Sequence, residues 1–154
     1  RQMCIRDSYH TIRTRQQSAS LAKLKLLKKT TQCDVEGEAG EVIFIAKGIE
    51  HCSQDMFGDK KYFWIKNETL KNIDNYIKTA KCIGRKASDA SRNKRKETVK
   101  LKENTDYFYY FEIKLPNEVN AYLHLGRYKK GIRDEGKFYL YSISKNLPKN
   151  IETL

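Results

Sequence analysis

The last third of the chain places a carboxylate, a histidine, cations and hydroxyls at alternating positions. Residues 107–115, 121–129 and 137–145 each show the alternation that is typical of strands, and short turn sequences separate them. Every second side chain of a strand points to the same face. We therefore expect one open sheet face to carry Tyr110, Glu112, Lys114, Tyr122, His124, Ser142 and Ser144.

Such a set of side chains suits the cleavage of RNA without a metal. The reaction needs a base for the ribose 2′-hydroxyl, an acid for the departing 5′-oxygen, and cations for the charge that grows on the phosphate. We predict that Glu112 is the base and His124 is the acid. Lys114 and Arg127, which lies at the end of the middle strand, are expected to stabilise the charge. The simpler alternative is a sheet face that is merely polar, with chance ion pairs across strands.

Two serines and an earlier histidine complete the predicted catalytic set. Either Ser142 or Ser144 is expected to donate a hydrogen bond to a phosphate oxygen. His51 lies beside the apolar stripe of a short helix, so its alternative role is a helix-edge histidine bonded to the backbone. The predicted catalytic residues are His51, Glu112, His124, Arg127, Ser142 and Ser144.

The charge of the chain indicates a polyanionic partner. The 154 residues carry a formal net charge of +12, with a pI near 9.5. No apolar run approaches the length of a membrane span, which favours RNA or another nucleic acid over a membrane as the partner. Residues 78–102 hold ten Lys or Arg against Asp89 and Glu97, and we interpret 85–97 as a solvated loop that either tracks phosphates or only aids solubility. The predicted RNA-binding residues are Lys47, Lys114, Tyr122, Lys129, Lys130 and Arg133.

The cysteines do not predict a metal site. Cys4, Cys33, Cys52 and Cys82 form no CxxC pair, and the adjacent His51 and Cys52 would point in different directions on a helix. We therefore expect thiols that pack as small apolar groups in a reducing cytoplasm, no metal and no cofactor.

The elements that must position these residues indicate an α+β fold, with N-terminal helices packed on a C-terminal antiparallel β-meander. Residues 42–45 predict a buried strand and 34–41 a loop. A short helix is expected at 49–58, stopped by Gly58, with Met56 on its apolar stripe; a longer helix should run from an N-cap at Asn67 to a stop at Gly84. In the third C-terminal strand, alternation predicts a buried face formed by Tyr139, Tyr141 and Ile143, with Leu140 on the open face.

The domain organisation predicted from the sequence has three parts. Residues 1–8, RQMCIRDS, resemble the translation of a transposase sequencing adapter, so we expect them to be an artefact of a fragment assembled from environmental DNA. Residues 9–39 are interpreted as a linker or weakly ordered arm. Residues 40–154 are then a single domain, in which the apolar patch 62–65 has no predicted form.

Three segments in this order carry a resemblance to a known superfamily. VIFIAKGIEH, LKNIDNYIKTAKCI and YFYYFEIKL…AYLHLGRYKK…KFYLYSISKNLP resemble the phage-borne nuclease domains of the barnase–EndoU–colicin–RelE (BECR) superfamily, over roughly residues 40–150. The resemblance lies in element order and composition. By position it implies that His51 is the early helix histidine and that Ser142 or Ser144 is the late-strand hydroxyl. It assigns no role to His124 or Arg127, which are predicted from chemistry alone.

The resemblance also implies a biological role. It implies a toxin-like endoribonuclease domain of a phage or mobile-element protein, acting on tRNA or mRNA in the cytoplasm of a host cell, with an immunity protein as a further partner. The alternative is a non-catalytic nucleic-acid-binding or assembly domain of the same phage polyproteins.

Overall fold

The computed structural model describes residues 20–53, 68–116 and 118–154. The predictions for residues 1–8, for the patch 62–65, and for Met56, Gly58 and Asn67 lie outside these ranges.

The described residues form a mixed α/β fold around a curled seven-stranded sheet. The helices are α1 (20–26), α2 (Ala46–Ser53), α3 (Ile73–Thr79), which follows a helical turn at 68–71, and α4 (Lys96–Glu103). The strands are β1 (Thr30–Val35), β2 (Glu38–Ile43), β3 (Lys81–Ala87), β4 (Thr105–Lys114), β5 (Asn120–Tyr128), β6 (Phe138–Ser144) and β7 (Glu152–Thr153). Their order in the sheet is β1-β2-β6-β5-β4-β3-β7, and the β2–β6 pairing is parallel. None of the helices in these ranges is long and apolar enough to cross a membrane.

The three C-terminal strands lie at the centre of the sheet. β5 pairs antiparallel with both β4 and β6, as the alternation of the sequence predicts. These strands are not a free-standing meander, however, because β2 extends the sheet beyond β6 and β3 extends it beyond β4. The α+β prediction is therefore confirmed in its class and only in part in its arrangement.

The segment predicted to be an arm and a loop forms part of the sheet, so the prediction for residues 20–39 is wrong. β1 and β2 form a hairpin, closed by Glu36 and Gly37 with φ of 53° and 86°. Positive φ at both turn residues gives a twist that matches the flanking strands. Thr31 and Cys33 alternate inward and are buried. Because threonine and cysteine are weak apolar signals, the alternation of TTQCDV is easy to miss.

The predicted solvated loop at 85–97 is found only in part: residues 88–95 lie outside any helix or strand and are mostly exposed, whereas the ends of the segment belong to a strand and a helix. Helix α3 ends at Thr79, and residues 81–87 form β3, while α4 begins at Lys96. The Arg85 guanidinium lies 4.2 Å from the centre of the Tyr107 ring on β4. Arginine can cover aromatic surface with its planar head while its charge stays near water. A charged sequence can therefore occupy a strand next to the tyrosine-rich β4.

The two faces of the sheet are covered unequally. The main core lies on the face covered by α1 and α3, which we call the helix face, and it includes Leu26, Ile77, Phe111 and Leu123. A smaller cluster of Phe108, Tyr110 and Tyr139 lies on the opposite side, which we call the second face, with the partly buried Leu101 of α4 packed against it. The second face is the one on which the polar alternation of β4 and β5 appears.

Helix α2 lies beside β6 beyond the point where β2 ends. β2 pairs with β6 at only two positions, and α2 then packs against the rest of β6. A Cβ atom built at Gly48 would lie 1.8 Å from the carbonyl oxygen of Leu140, so only glycine permits this approach. Ile49 and Cys52 consequently reach the main core, whereas His51 contacts the second face.

Candidate active site

His124 lies in the middle of the second face. It stands opposite Tyr110 of β4 and Ser142 of β6 in the strand register. The rings of His124 and Tyr110 pack edge to face, with 4.8 Å between their centres. The Nε2 atom of His124 is 2.6 Å from Oγ of Ser144.

The hydrogen bonds of Ser144 determine which nitrogen of His124 carries a proton. Ser144 Oγ donates to the carbonyl oxygen of Asn146 over 2.8 Å, so its hydroxyl hydrogen is already used. His124 Nε2 must then donate to Ser144 Oγ, and Nδ1 of a neutral imidazole is left as an acceptor.

His124 is neutral at pH 7 rather than charged. Burial, and secondarily the charge of His51, lower the pKa of the His124 imidazole to about 4. A neutral imidazole with an acceptor nitrogen can take a proton and has none to give from Nδ1. The structure therefore disagrees with the prediction that His124 is the acid and makes it suited to be a base.

His51 approaches the same place from helix α2. Its ring stacks on that of Tyr141, with 5.0 Å between centres and 26° between planes. Tyr141, on which His51 stacks, directly precedes Ser142, the residue that stands opposite His124, and the charge of His51 contributes to the lowered pKa of His124. The sequence separates these histidines by 73 positions, and the packing of α2 along β6 brings them together.

A bulge in β6 places Tyr141 on the second face, contrary to the prediction for this strand. The β5–β6 register shifts between His124 and Leu125, so that Leu125 pairs with Leu140 while His124 pairs with Ser142. The extra residue reverses the alternation on its N-terminal side. Leu140 therefore joins the main core, and Tyr139, also predicted to face it, lies on the second face.

Two lysines approach the same surface. Lys47 precedes His51 by one helical turn and donates a hydrogen bond to Thr98 Oγ1 on α4. The Lys102 ammonium of α4 lies 5.9 Å from the centre of the Tyr141 ring. Burial lowers the pKa of Lys102; the charge of Asp89 opposes this, and the charge of Lys47 adds a smaller lowering effect.

These residues form a partly exposed cluster drawn from four elements, which we call the histidine cluster. Each member keeps some solvent exposure. Its members are Lys47, His51, Lys102, His124, Tyr141 and Ser144. Two imidazoles can move protons, and two ammonium groups can stabilise negative charge in a setting of reduced polarity.

Three further predicted residues lie on the second face but differ in their burial and in their distance from His124. Ser142 is 1% exposed and lies beside His124 beneath the surface, which leaves the partly exposed Ser144 as the serine at the rim. Glu112 is exposed and lies one pair along the strands, opposite Tyr122. Lys114 is four residues beyond Tyr110, the residue opposite His124, and so lies roughly 14 Å away along the strand at about 3.4 Å per residue. Its ammonium group pairs with Glu118 at 3.4 Å.

Arg127 lies on the opposite face, so its predicted role as a charge-stabilising cation for the reaction at His124 is wrong. The two residues are three positions apart in one strand, and an odd separation reverses the face. The Arg127 guanidinium bonds both carboxylate oxygens of Asp106, at 2.9–3.2 Å, and lies 5.1 Å from the centre of the Tyr109 ring. It cannot reach a phosphate held at the histidine cluster.

The remaining predicted RNA-binding residues divide between two ends of the sheet. Lys129, Lys130 and Arg133 are exposed and follow the far end of β5. Lys129 is five positions beyond His124, roughly 17 Å at about 3.4 Å per residue. Of the predicted set, Lys47 belongs to the histidine cluster and Tyr122 lies next to it.

Sequence reasoning missed Tyr141 and Lys102. Strict alternation places Tyr141 on the buried face, because a sequence pattern of period two cannot show a bulge. Lys102 was one of ten basic residues in the charge run, and only the apolar positions Val99 and Leu101 beside it could have indicated a packed helix rather than a loop.

Other features of the described residues do not coincide with the histidine cluster. Cavities of about 630 and 550 Å³ lie along β1 and at the rim of the helix face, respectively; neither is lined by a cluster member. No group of three or more His, Cys, Asp or Glu in the described ranges could hold a metal ion. Burial raises the pKa of the Cys33 thiol to about 12 and that of Cys82 to about 11, so both are neutral at pH 7.

Comparisons with known proteins give no relative. No family model, no curated protein and no solved structure matches this chain.

Proposed function

We propose that this protein is an endoribonuclease that cleaves RNA by metal-independent transesterification at the histidine cluster. The observation that carries the proposal is the neutral His124, whose Nδ1 is left as an acceptor, on the same face as the stacked His51 and Tyr141, with the Lys102 ammonium 5.9 Å from the Tyr141 ring. Few structural roles require two imidazoles and two ammonium groups from three different elements on one partly exposed surface.

The proposed reaction needs one proton taken and one proton given. His124 Nδ1 accepts the proton of the ribose 2′-hydroxyl, and the resulting oxygen attacks the adjacent phosphorus. The bond from phosphorus to the 5′-oxygen breaks, and that oxygen receives a proton from His51. The products are a 2′,3′-cyclic phosphate and a free 5′-hydroxyl.

The unequal environments of the two histidines support this assignment. Burial disfavours charge on His124, so His124 is suited to accept a proton, and His51 is assigned the role of donor. Lys47 and Lys102 would stabilise the negative charge on the phosphate as it reaches five-coordination. Glu112, the base predicted from the sequence, lies diagonally from His124 in the strand register, opposite Tyr122.

The net charge of +12 supports a polyanionic substrate, because it accelerates encounter with nucleic acid. The proposal also agrees with the resemblance to BECR nuclease domains, which by position implies that His51 is the early helix histidine and that Ser142 or Ser144 is the late-strand hydroxyl. That resemblance, the phage or mobile-element origin and the immunity partner remain predictions.

Cleavage of a labelled RNA in the presence of EDTA tests the proposal. We expect the full chain to convert the RNA into fragments that end in 2′,3′-cyclic phosphate. His51→Ala and His124→Ala should each reduce the rate by about 100-fold or more, within the range of general acid–base catalysis. Tight, salt-sensitive binding that leaves the RNA intact would instead support the non-catalytic nucleic-acid-binding module.

A further inference from the structure

A cleft of about 550 Å³ opens at the rim of the helix face, beside the β1–β2 hairpin. β2 pairs with β6 only at Val42 and Ile43, so residues 38–41 have no strand partner on that side within the described part of the chain. The turn end of the hairpin and the ends of β3, β4 and β5 line the cleft together. The cleft thus lies between a hairpin wall and a strand wall, and its volume falls in the range of small-molecule sites.

We infer that this cleft binds a small zwitterionic phosphate monoester, with the phosphate at the strand wall and a protonated amine at the hairpin wall. Arg85, Arg127 and Lys130 line the strand wall, and Glu36 and Glu38 line the hairpin wall. None of these side chains belongs to the histidine cluster. The site is therefore independent of the proposed ribonuclease activity and can be tested by binding alone.

The two arginines of the strand wall meet at one tyrosine. The Arg127 guanidinium lies 5.1 Å from the centre of the Tyr109 ring, and Nη1 of Arg85 donates a hydrogen bond to the Tyr109 hydroxyl over 3.4 Å. Tyr109 is buried and packs edge to face on Phe138, so it is a fixed support for both guanidinium groups. Like charges held on one ring repel each other, and an anion bound beside them relieves that repulsion.

Carboxylates orient both guanidinium groups without using all of their donors. Asp106 accepts hydrogen bonds from Nε and Nη2 of Arg127 at 2.9–3.2 Å, and Glu152 accepts one from Nε of Arg85 at 2.9 Å. Nη1 of Arg127 and Nη2 of Arg85 have no acceptor among the described residues. A guanidinium group has five N–H donors in a rigid plane, and the remaining ones match the oxygens of a phosphate.

Lys130 adds a third cation at the edge of the strand wall. Its side chain is exposed and forms no ion pair with a carboxylate of the described ranges. Three cations against the bonded Asp106 and Glu152 leave this wall with an excess of positive charge. The neighbouring Lys129 does not line the cleft, which makes it a natural control.

The hairpin wall has the opposite charge. Glu36 and Glu38 are exposed and form no ion pair with another described residue. The tight turn at Glu36 and Gly37, with φ of 53° and 86°, fixes the backbone that carries these two carboxylates. A pair of carboxylates attracts an ammonium group and repels a second phosphate. The ligand that fits both walls is therefore a monophosphate with an amine, and the cleft disfavours polyphosphates and nucleic acids.

Binding of two matched compounds to the full chain tests the inference. Pentyl phosphate and 5-aminopentyl phosphate differ only in the ammonium group. By calorimetry we expect the amine to bind about 5-fold more tightly, the upper end for an exposed ion pair, and Glu36→Gln/Glu38→Gln should bind both compounds equally. Glu41→Gln, on the same strand but outside the cleft, is the matched control and should keep the preference. Equal affinity in the unchanged protein, or a preference that survives the double variant, would overturn the inference.

Variants of the strand wall test the phosphate end. Arg127→Lys keeps the charge but loses the planar donors, and we expect it to weaken binding of both compounds by about 10-fold. Lys130→Met should weaken both by about 5-fold, whereas Lys129→Met should leave both unchanged. Full affinity in Arg127→Lys and Lys130→Met, or equal losses in the two lysine variants, would refute the strand wall as the phosphate site.

A further variant separates this cleft from the histidine cluster. Lys102→Met should bind both compounds as the unchanged protein does, and a loss of binding there would place the phosphate at the histidine cluster and overturn the inference. If the unchanged protein cleaves no RNA yet prefers 5-aminopentyl phosphate, the proposed function fails and the zwitterion site stands.

Discussion

His124 Nε2 donates a hydrogen bond to Ser144 Oγ over 2.6 Å, because the Ser144 hydroxyl hydrogen is already donated to the carbonyl oxygen of Asn146. This relay fixes the tautomer of a histidine that carries no charge at neutral pH. It leaves Nδ1 of His124 as the nitrogen that can take up a proton.

Ser144→Ala should allow His124 to adopt both tautomers. Without its acceptor, the Nε2–H is no longer held, and the ring can place its proton on either nitrogen. We expect the cleavage rate to fall about 10-fold and the ¹⁵N shifts of His124 to report a mixture of tautomers. Ser144→Thr keeps a hydroxyl and should restore both. An unaltered tautomer in Ser144→Ala would contradict the relay.

The stability of the fold should fall as the pH drops below that at which histidine titrates in an unfolded chain. Above pH 6.5 His124 is neutral in both states, and between 6.5 and about 4 the unfolded chain binds the proton more readily. The stability that depends on the neutral ring is thus complete above pH 6.5 and lost as the pH falls through about 4. The shift corresponds to on the order of 3 kcal/mol in total.

Urea unfolding between pH 7.5 and 5 checks this dependence. By pH 5 we expect a loss of about 2 kcal/mol that is absent in His124→Gln. His51→Gln is the control for general acid effects and should retain most of the loss. Parallel pH curves for His124→Gln and the unchanged protein would show that His124 is not buried in its neutral form.

Gly48→Ala should displace helix α2 from β6. The added Cβ would lie 1.8 Å from the Leu140 carbonyl oxygen, which is backbone and cannot turn aside. We expect a loss of about 3 kcal/mol in the free energy of unfolding, at the upper end for overpacking, and slower RNA cleavage because His51 moves with the helix. Ala46→Ser, at the exposed start of the same helix, should change neither. Normal stability in Gly48→Ala would refute the contact.

The two faces of the sheet should respond differently to the loss of a cation. Lys102→Met removes an ammonium group from the histidine cluster and should lower the cleavage rate by about 10-fold, with little change in stability. Arg127→Met breaks the ion pair with Asp106 on the opposite face, at a cost of about 1 kcal/mol in stability, and should leave the rate per folded molecule unchanged. The reverse pattern would show that the active site is on the face that carries Arg127 and not at the histidine cluster.

The sequence predicted those parts of the fold in which local patterning agrees with tertiary structure. The alternation in β4 and β5 correctly separates Phe111 and Leu123 from Glu112 and His124, because both strands are regular and one face is buried. The same reasoning failed in β6, where one bulged residue moved Tyr141 to the other face.

Other parts of the fold depend on partners that the sequence does not reveal. β3 is a strand because β4 offers it a surface of tyrosines, whereas its own residues predict the end of a helix up to Gly84 and a charged loop from Arg85 onward. β1 is a strand because a tight turn pairs it with β2. His51 joins His124 only because Gly48 lets α2 approach β6, so residue types could identify both histidines but not their proximity.

The measurement that tests the central proposal most directly is the identity of the RNA product formed in EDTA. Mass spectrometry of a short RNA incubated with the full chain should show 2′,3′-cyclic phosphate ends, with cleavage lost in both His51→Ala and His124→Ala and retained in Arg127→Met. Intact RNA after incubation with the folded, unchanged protein, or equal cleavage in all three variants, would contradict a ribonuclease site at the histidine cluster.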